Sequence, residues 1–228
     1  MSEASGEAGE VGLLEGLATT RAIRRFRPDP VSEEDLAAVF FGATRAPSGS
    51  NRQPFRFLVL RDGPRAREAR ELLGRAFREA WDVKSAADGY PVDEDSRRGR
   101  TSRALRQFVE RFEDVPVVVL ACLVRYRGPH PTEGASVYPA CQNLLLAARA
   151  RGLGGVLTMW HAAVEDELRA VLGIPDGVAV AATMALGHPE GGHGPVRRRP
   201  VGELVYEDAW DTPAPWAVDP PGTRFTRG

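Results

Sequence analysis

A chain of 228 residues with 43% apolar side chains is long enough for one domain with a real core, or for one subunit of an intertwined dimer. Its 30 basic and 31 acidic residues leave a net charge of −1, which excludes a global attraction to nucleic acid or to an anionic membrane. Cys122 and Cys141 both sit in apolar segments; two such cysteines exclude a disulfide framework and fit a reducing compartment.

The longest apolar run, 115–124, contains Pro116 and is too short to span a bilayer. The first residues carry Glu3, Glu7 and Glu10 and no basic run, so no signal peptide is expected and the protein reads as cytoplasmic. Lys84 is the single lysine among many arginines, a bias that reads as genomic rather than functional.

Residues 1–10, made of small and acidic side chains, are expected to be disordered. A first helix is expected over 11–17. Arg21, Arg24 and Arg25 then follow at a spacing that lets them converge on one anion, because the planar guanidinium makes bidentate, charge-assisted bonds to phosphate. The same run also reads as a solvated basic turn. Ser32 is a good N-cap with Asp35 at the third helical position, and Leu36, Val39, Phe40 and Ala43 give the following helix an apolar face.

Pro47, Ser48, Gly49, Ser50 and Asn51 form a polar turn that leads into the alternating Phe55, Phe57 and Val59 of a strand over 55–61. Asn51 and Gln53 carry donors and acceptors suited to the edge of a heteroaromatic ring. On spacing alone the stretch reads as an ordinary helix–strand connection. A helix over 65–81 follows, its buried stripe marked by Leu72, Leu73, Ala76, Phe77 and Ala80. Residues 84–102, with Gly89, Pro91, Gly99 and many charges, read as a long loop, of the kind that is functional or disordered. A helix over 101–113 carries Phe108 and Phe112, whose i, i+4 spacing favours the core.

The valine-rich run 115–126 suits a strand buried on both faces. The helix over 134–151 is apolar nearly all round, which places it in a core or a subunit interface, and Gly152, Gly154 and Gly155 close it. These glycines are not a dinucleotide fingerprint, since a helix precedes them and an extended stretch, 156–160, follows. In that stretch Thr158 is by itself a strand residue. A short helix over 165–172 ends at Gly173, and 177–187 is a second apolar strand. His188 and His193 lie in a loop with no third ligand nearby and read as solvated, with no metal site. Arg197, Arg198 and Arg199 form a second basic cluster. Without a basic balance or interleaved aromatics, RNA binding through it is the weaker choice. Residues 207–228 hold Trp210, Trp216 and four prolines, apolar area that suits an arm wrapped around a partner.

Four of these segments, in this order, resemble the nitroreductase family of FMN-dependent oxidoreductases. Pro47 to Phe57 resembles the family's P-S-x-x-N-x-Q-P-(aromatic)-x-F stretch. Arg21 to Phe26 resembles its R-R-S-x-R-x-F stretch, with Thr20 in place of the first Arg and Ala22 in place of the Ser. Arg151 to Thr158 resembles its A-x-G-L-G segment, and Arg197 to Pro200 its basic R-R-K-P-like segment. Together they cover most of residues 15–210.

The resemblance implies an α+β fold: a central, mostly antiparallel sheet flanked by helices, in an intertwined homodimer with a C-terminal arm. Strand order does not follow from the sequence. It implies one FMN-binding domain over 11–206 and an arm over 207–228, with FMN as cofactor and NAD(P)H as electron donor. The partner is a small-molecule electron acceptor, nitroaromatic or quinone-like. The implied cofactor contacts are Arg21, Ala22, Arg24, Pro47, Ser48, Gly49, Asn51, Gln53, Leu157, Thr158, Met159 and Arg198. Arg21, Arg24 and Arg198 take the phosphate, and backbone N–H groups of 157–160 take the flavin's reactive edge. The flavin carries the chemistry, so no protein acid or base is assigned. Residues 81–112 match the family's variable lid, with Trp81, Tyr90, Phe108 and Phe112 as candidate substrate contacts. Other flavin chemistry within the family (dehalogenation, azoline oxidation or flavin fragmentation) and a flavin-binding module without turnover are the alternative readings.

Overall fold

The run of apolar residues after Pro116 forms the central strand of the molecule. The computed structural model describes residues 11–91 and 95–223; the expected disordered segment 1–10, residues 92–94 of the expected loop and residues 224–228 of the expected arm lie outside it. Four strands, β1 (Phe55–Leu60), β2 (Val117–Val124), β3 (Gly154–Thr158) and β4 (Val178–Gly187), make one sheet in the order β1-β2-β4-β3, with every pairing antiparallel. Six α-helices accompany them: α1 (Leu13–Thr19), α2 (Glu33–Ala43), α3 (Pro64–Ala87), α4 (Arg97–Glu110), α5 (Tyr138–Ala150) and α6 (Glu165–Leu172). The α+β class expected from the sequence is the one observed.

The reason β2 lacks polar alternation is visible in its packing. Val117, Val119, Ala121 and Leu123 face a core shared with Leu36 and Val39 of α2 and Leu144 of α5. Val118, Leu120 and Cys122 face the opposite core, built on Leu73, Phe77 and Trp81 of α3, Phe108 of α4 and Leu168 of α6. Side chains of a strand alternate between faces, so a strand covered by helices on both sides must be apolar throughout. Against β2, strand β4 slips one residue: Ala121 is opposite Ala182 and Cys122 opposite Val180. The extra residue, Ala181, is a β-bulge that turns Val180 onto the α3 face, whereas Ala182 and Met184 keep the α2 face.

Local signals explain the helix starts and stops. Ser32 Oγ accepts from Asp35 N at 3.0 Å and donates to Asp35 Oδ2 at 2.7 Å, closing the N-terminus of α2. Gly152 and Gly173 take left-handed φ of 72° and 67° beyond α5 and α6. Within α5, Ala140, Cys141, Leu144 and Ala148 are buried, and Leu145, Leu146 and Ala147 are half-buried.

The long loop expected over 84–102 is a correction. Helix α3 runs on to Ala87, with Lys84 paired to Asp88 at its end. Helix α4 begins at Arg97, where Ser96 Oγ accepts from Gly99 N at 3.0 Å. Solvated helical turns here have the same charged composition as a loop, and only the caps distinguish them. The candidate lid residues Trp81, Phe108 and Phe112 are also corrected. They are 1%, 4% and 0% exposed, too buried to touch a substrate. Phe77 meets Phe112 at a centroid distance of 4.4 Å, and Phe108 meets Phe112 edge-on at 5.7 Å, so Phe108 of α4 and Phe112 in the turn that follows it are core. Tyr90 is half-buried, packed on Trp81 at 5.2 Å with the Arg98 guanidinium 5.2 Å over its ring.

Candidate functional site

The arginine segment before α2 lies along the outer margin of β3. Ile23 N donates to Gly155 O at 2.9 Å, Ala22 bridges Gly155, and Arg27 N donates to His188 O at 2.8 Å. This close approach explains Gly154, and the neighbouring strand β4 explains Gly155. A Cβ on Gly154 would lie 2.7 Å from the Ile23 side chain, and one on Gly155 would lie 2.6 Å from Leu186. The second arginine cluster is bound to the same corner, because Gly194 N and Val196 N donate to Thr19 O and Ala18 O at 3.3 and 3.0 Å.

The two clusters are divided by how their charges are met. Arg27 pairs with Asp29 at 3.1 Å, Arg25 reaches Glu190 at 4.0 Å, and Arg199 pairs with Glu203 at 2.9 Å. Arg21, Arg24, Arg197 and Arg198 have no carboxylate partner among the described residues; the Arg198 guanidinium donates to Arg197 O at 2.9 Å. Burial pushes the Arg24 guanidinium below its usual pKa. A desolvated cation with no counter-charge favours the arrival of an anion.

At the end of β3, Leu157 and Thr158 are half-buried opposite Met184 and Thr183. Thr158 Oγ1 accepts from Trp160 N at 3.4 Å, so of the backbone donors expected there Trp160 already has an internal acceptor. Met159 is 48% exposed, with the Tyr138 hydroxyl 4.0 Å from its sulfur.

The loop before β1 is held in an unusual shape. Ser50, Asn51 and Gln53 all have positive φ, at 52°, 51° and 48°. Left-handed backbone at non-glycine residues costs on the order of 1–3 kcal/mol each and clusters at binding sites. Ser48 Oγ accepts from Gln53 N at 2.9 Å, Gly49 N donates to Ser136 Oγ at 3.2 Å, and Gln53 Nε2 donates to Asn51 Oδ1 at 3.1 Å. The Asn51 and Gln53 amides are thereby paired and exposed at the loop surface.

The sequence-predicted residues therefore fall into two groups. Ala22, Leu157, Thr158 and Met159 share the β3 margin, with Arg21 and Arg24 in the segment that runs along it and Arg198 in the segment tied to that one by Val196; Arg24 lines a cavity with Phe108 and Arg111. Pro47, Ser48, Gly49, Asn51 and Gln53 lead into β1, the opposite margin of the sheet. Three strand spacings, about 14 Å, separate the two margins, so one chain does not bring the groups together.

Two histidines change status. His193, expected to be solvated, is half-buried and its Nε2 donates to Leu153 O at 3.0 Å. His161, which sequence reasoning passed over, is 3% exposed and its Nε2 donates to Val180 O at 2.8 Å. Its only signal was a lone histidine just after a strand. Burial, the larger effect, lowers the His161 pKa; the bond to Val180 and the charge of Glu165 oppose it. Burial likewise lowers that of His193. The unfolded chain therefore takes up protons below the ordinary histidine pKa of 6.5 while the fold keeps both rings neutral. Stability is full above that pH and is lost as pH falls through it. The melting temperature is expected to drop between pH 7.5 and 5.5, and less steeply in His161→Gln; equal slopes would remove His161 as a source.

With this geometry in hand, comparison with known proteins gives a consistent result. A model of the nitroreductase family matches residues 17–188. The chain is 32% identical over 195 residues to an NADH dehydrogenase of Thermus thermophilus, covering 81% of this chain and 90% of that protein. It is 32% identical over 198 residues to a nitrobenzene nitroreductase of Ectopseudomonas oleovorans, covering 73% and 82%. A crystal structure of an FMN- and NADPH-dependent nitroreductase derived from a Sphigopyxis strain superposes with a TM-score of 0.67 at 25% identity, covering 86% of this chain and 99% of that one.

Proposed function

The chain belongs to the nitroreductase family, and on that premise we propose that it is an FMN-dependent oxidoreductase that reduces a small electrophile, nitroaromatic or quinone-like, with NAD(P)H. The observation that carries this reading is the set of arginines without carboxylates. Among the described residues Arg21, Arg24, Arg197 and Arg198 have no carboxylate partner, whereas Arg25, Arg27 and Arg199 do, and this supports a phosphate held between the two segments. Bound FMN would supply hydride transfer from the nicotinamide and onward to the acceptor.

The protein's own part is binding and placement. Arg21, Arg24 and Arg198 would hold the phosphate from the two clusters, Arg24 from a partly buried position. Ala22 and the backbone of Leu157, Thr158 and Met159 pass the ring at the edge of β3. Pro47, Ser48, Gly49, Asn51 and Gln53 meet the ring's polar edge from a second copy of the chain, because the sheet order keeps them away from the β3 margin of their own copy. Of the candidate lid residues, Tyr90, packed on Trp81, is the one left half-buried rather than buried.

The same geometry favours a homodimer of domains 11–206. Leu13, Leu14 and Leu17 of α1 are 73%, 79% and 50% exposed, an apolar face in need of cover. Residues 207–223 turn back on themselves, with Trp216 Nε1 donating to Glu207 Oε1 at 2.9 Å. Trp210 is left 85% exposed, as suits an arm laid on a partner. No helix among the described residues is long and apolar enough to cross a membrane.

Purified protein supplied with FMN is expected to show the two visible flavin bands, to lose them anaerobically on addition of NADH or NADPH, and to sediment as a dimer. Bands that resist both nucleotides would remove the oxidoreductase reading, and a stable flavin-loaded monomer at micromolar concentration would remove the shared site.

A further inference from the structure

The concave surface beneath the loop before β1 holds chemistry that the flavin contacts do not use. Pro47, Ser48 and Gly49 form one wall of a cavity of about 320 Å³, and the chain leaving β2, residues 125–136, forms the other. That second wall is held by one ion pair. Arg125 Nε and Nη2 donate to the Glu133 carboxylate at 2.9 and 2.7 Å, and this bidentate bond holds the Glu133 carboxyl below its usual pKa. Each partner is satisfied by the other, so neither the charge of Arg125 nor that of Glu133 is left for a ligand.

Beside this pair the balance is different. Tyr126 is 64% exposed, an uncommon state for a tyrosine that follows a buried strand. The Arg52 guanidinium lies 4.4 Å over its ring and that of Arg127 lies 5.3 Å from it. Neither arginine is paired with a carboxylate among the described residues, and the one acid in the cavity wall, Glu133, is already neutralised. The cavity thus combines an aromatic platform, two unpaired guanidinium groups and a wall shared with the loop that bears Asn51 and Gln53.

We propose that this cavity seats the electron acceptor, and that the acceptor is a planar aromatic anion carrying a carboxylate, its ring against Tyr126 and its carboxylate between Arg52 and Arg127. This rests on the reading of the 47–53 loop as a wall of the flavin site. Small-molecule sites run from about 300 to 1,000 Å³, and a cavity of about 320 Å³ suits one substituted ring. The guanidinium fork matches a carboxylate's two oxygens, which a point charge would not. Both arginines are solvent-exposed, so salt weakens their hold on the anion.

The test compares the binding of 4-nitrobenzoate with that of its methyl ester, which lacks the charge and adds one methyl group; binding decides rather than turnover, because the ester also makes the nitro group easier to reduce. Calorimetric binding to the FMN-loaded protein is expected to favour the anion about tenfold at low salt. The double variant R52Q/R127Q is expected to bring that ratio close to one, and R127K to keep part of it. Equal binding of acid and ester by the unaltered protein would overturn the proposal, as would a preference that survives in R52Q/R127Q. A double variant that alters the NADPH-to-NADH ratio and keeps its acceptor preference would also overturn it, by assigning the arginines to the donor's phosphate. Protein that binds the anion preferentially but takes up no FMN would overturn the flavin reading and leave the anion cavity standing. Protein that takes up FMN but shows no preference would overturn the cavity alone.

Discussion

Replacing Arg24 with alanine is expected to weaken FMN binding by a factor on the order of 10–100, the cost of one charge-assisted bond to phosphate. The flavin-free protein should lose no stability. In that state the Arg24 guanidinium is drawn out of water with no carboxylate to meet it, and its lowered pKa records the penalty. Removing it removes both the penalty and the attraction. Inorganic phosphate should raise the melting temperature of the flavin-free wild-type protein by mass action and do so less for Arg24→Ala. Arg25→Ala is the control: Arg25 is exposed and faces Glu190, so its loss should change FMN affinity less than twofold. FMN affinity in Arg24→Ala within twofold of wild type would remove Arg24 from the site.

The second large effect concerns stability. Trp81→Ala should destabilise the fold by about 3–5 kcal/mol, as for other aromatic deletions in a packed core. In a domain of this size that is a fall in melting temperature of roughly 6–20 °C. Trp81 is 1% exposed, lies in the cluster with Phe77 and Leu73, and supports Tyr90 from below. Its indole Nε1 is buried with no hydrogen-bond partner among the described residues, so Trp81→Phe should lose much less than the alanine variant. Full thermal stability in Trp81→Ala, joined to an altered preference among acceptors, would return Trp81 to the substrate lid.

What was legible in the sequence depended on how local each feature is. The two-sided burial of β2 was legible because a strand covered on both faces has no polar alternation to show. The start of α2 was legible because Ser32 and Asp35 close it within one turn. The continuation of α3 to Ala87 was not, since Lys84 and Asp88 look like loop residues until their pairing across a helical turn is seen. The β-bulge at Ala181 leaves no mark in a run of alanines. At the site, the resemblance of segments 20–26 and 197–200 to those of the family singled out Arg21, Arg24 and Arg198; spacing alone left a solvated basic turn as an equal reading. Their lack of counter-charges was hidden, because a partner such as Glu190, which faces Arg25, is decided by tertiary contacts, whereas Glu203 lies only four residues beyond Arg199. Strand order was equally hidden, and with it the separation of the Ser48 loop from the arginines.

That separation bears on how the cofactor is held in a cell. On the proposed assembly, each flavin is a ligand owned jointly by two chains, and its affinity becomes a function of how much protein is present. Diluting the protein below its dimer constant would release cofactor without any change in the contacts themselves. A cell short of flavin would likewise hold a larger share of separated chains, with the leucines of α1 and the tryptophans of the arm exposed. By linkage, what the flavin adds to the pairing of chains equals what the pairing adds to the hold on flavin. Flavin supply and protein abundance would then act on one equilibrium, and a single apparent dissociation constant for FMN would describe only the concentration at which it was measured.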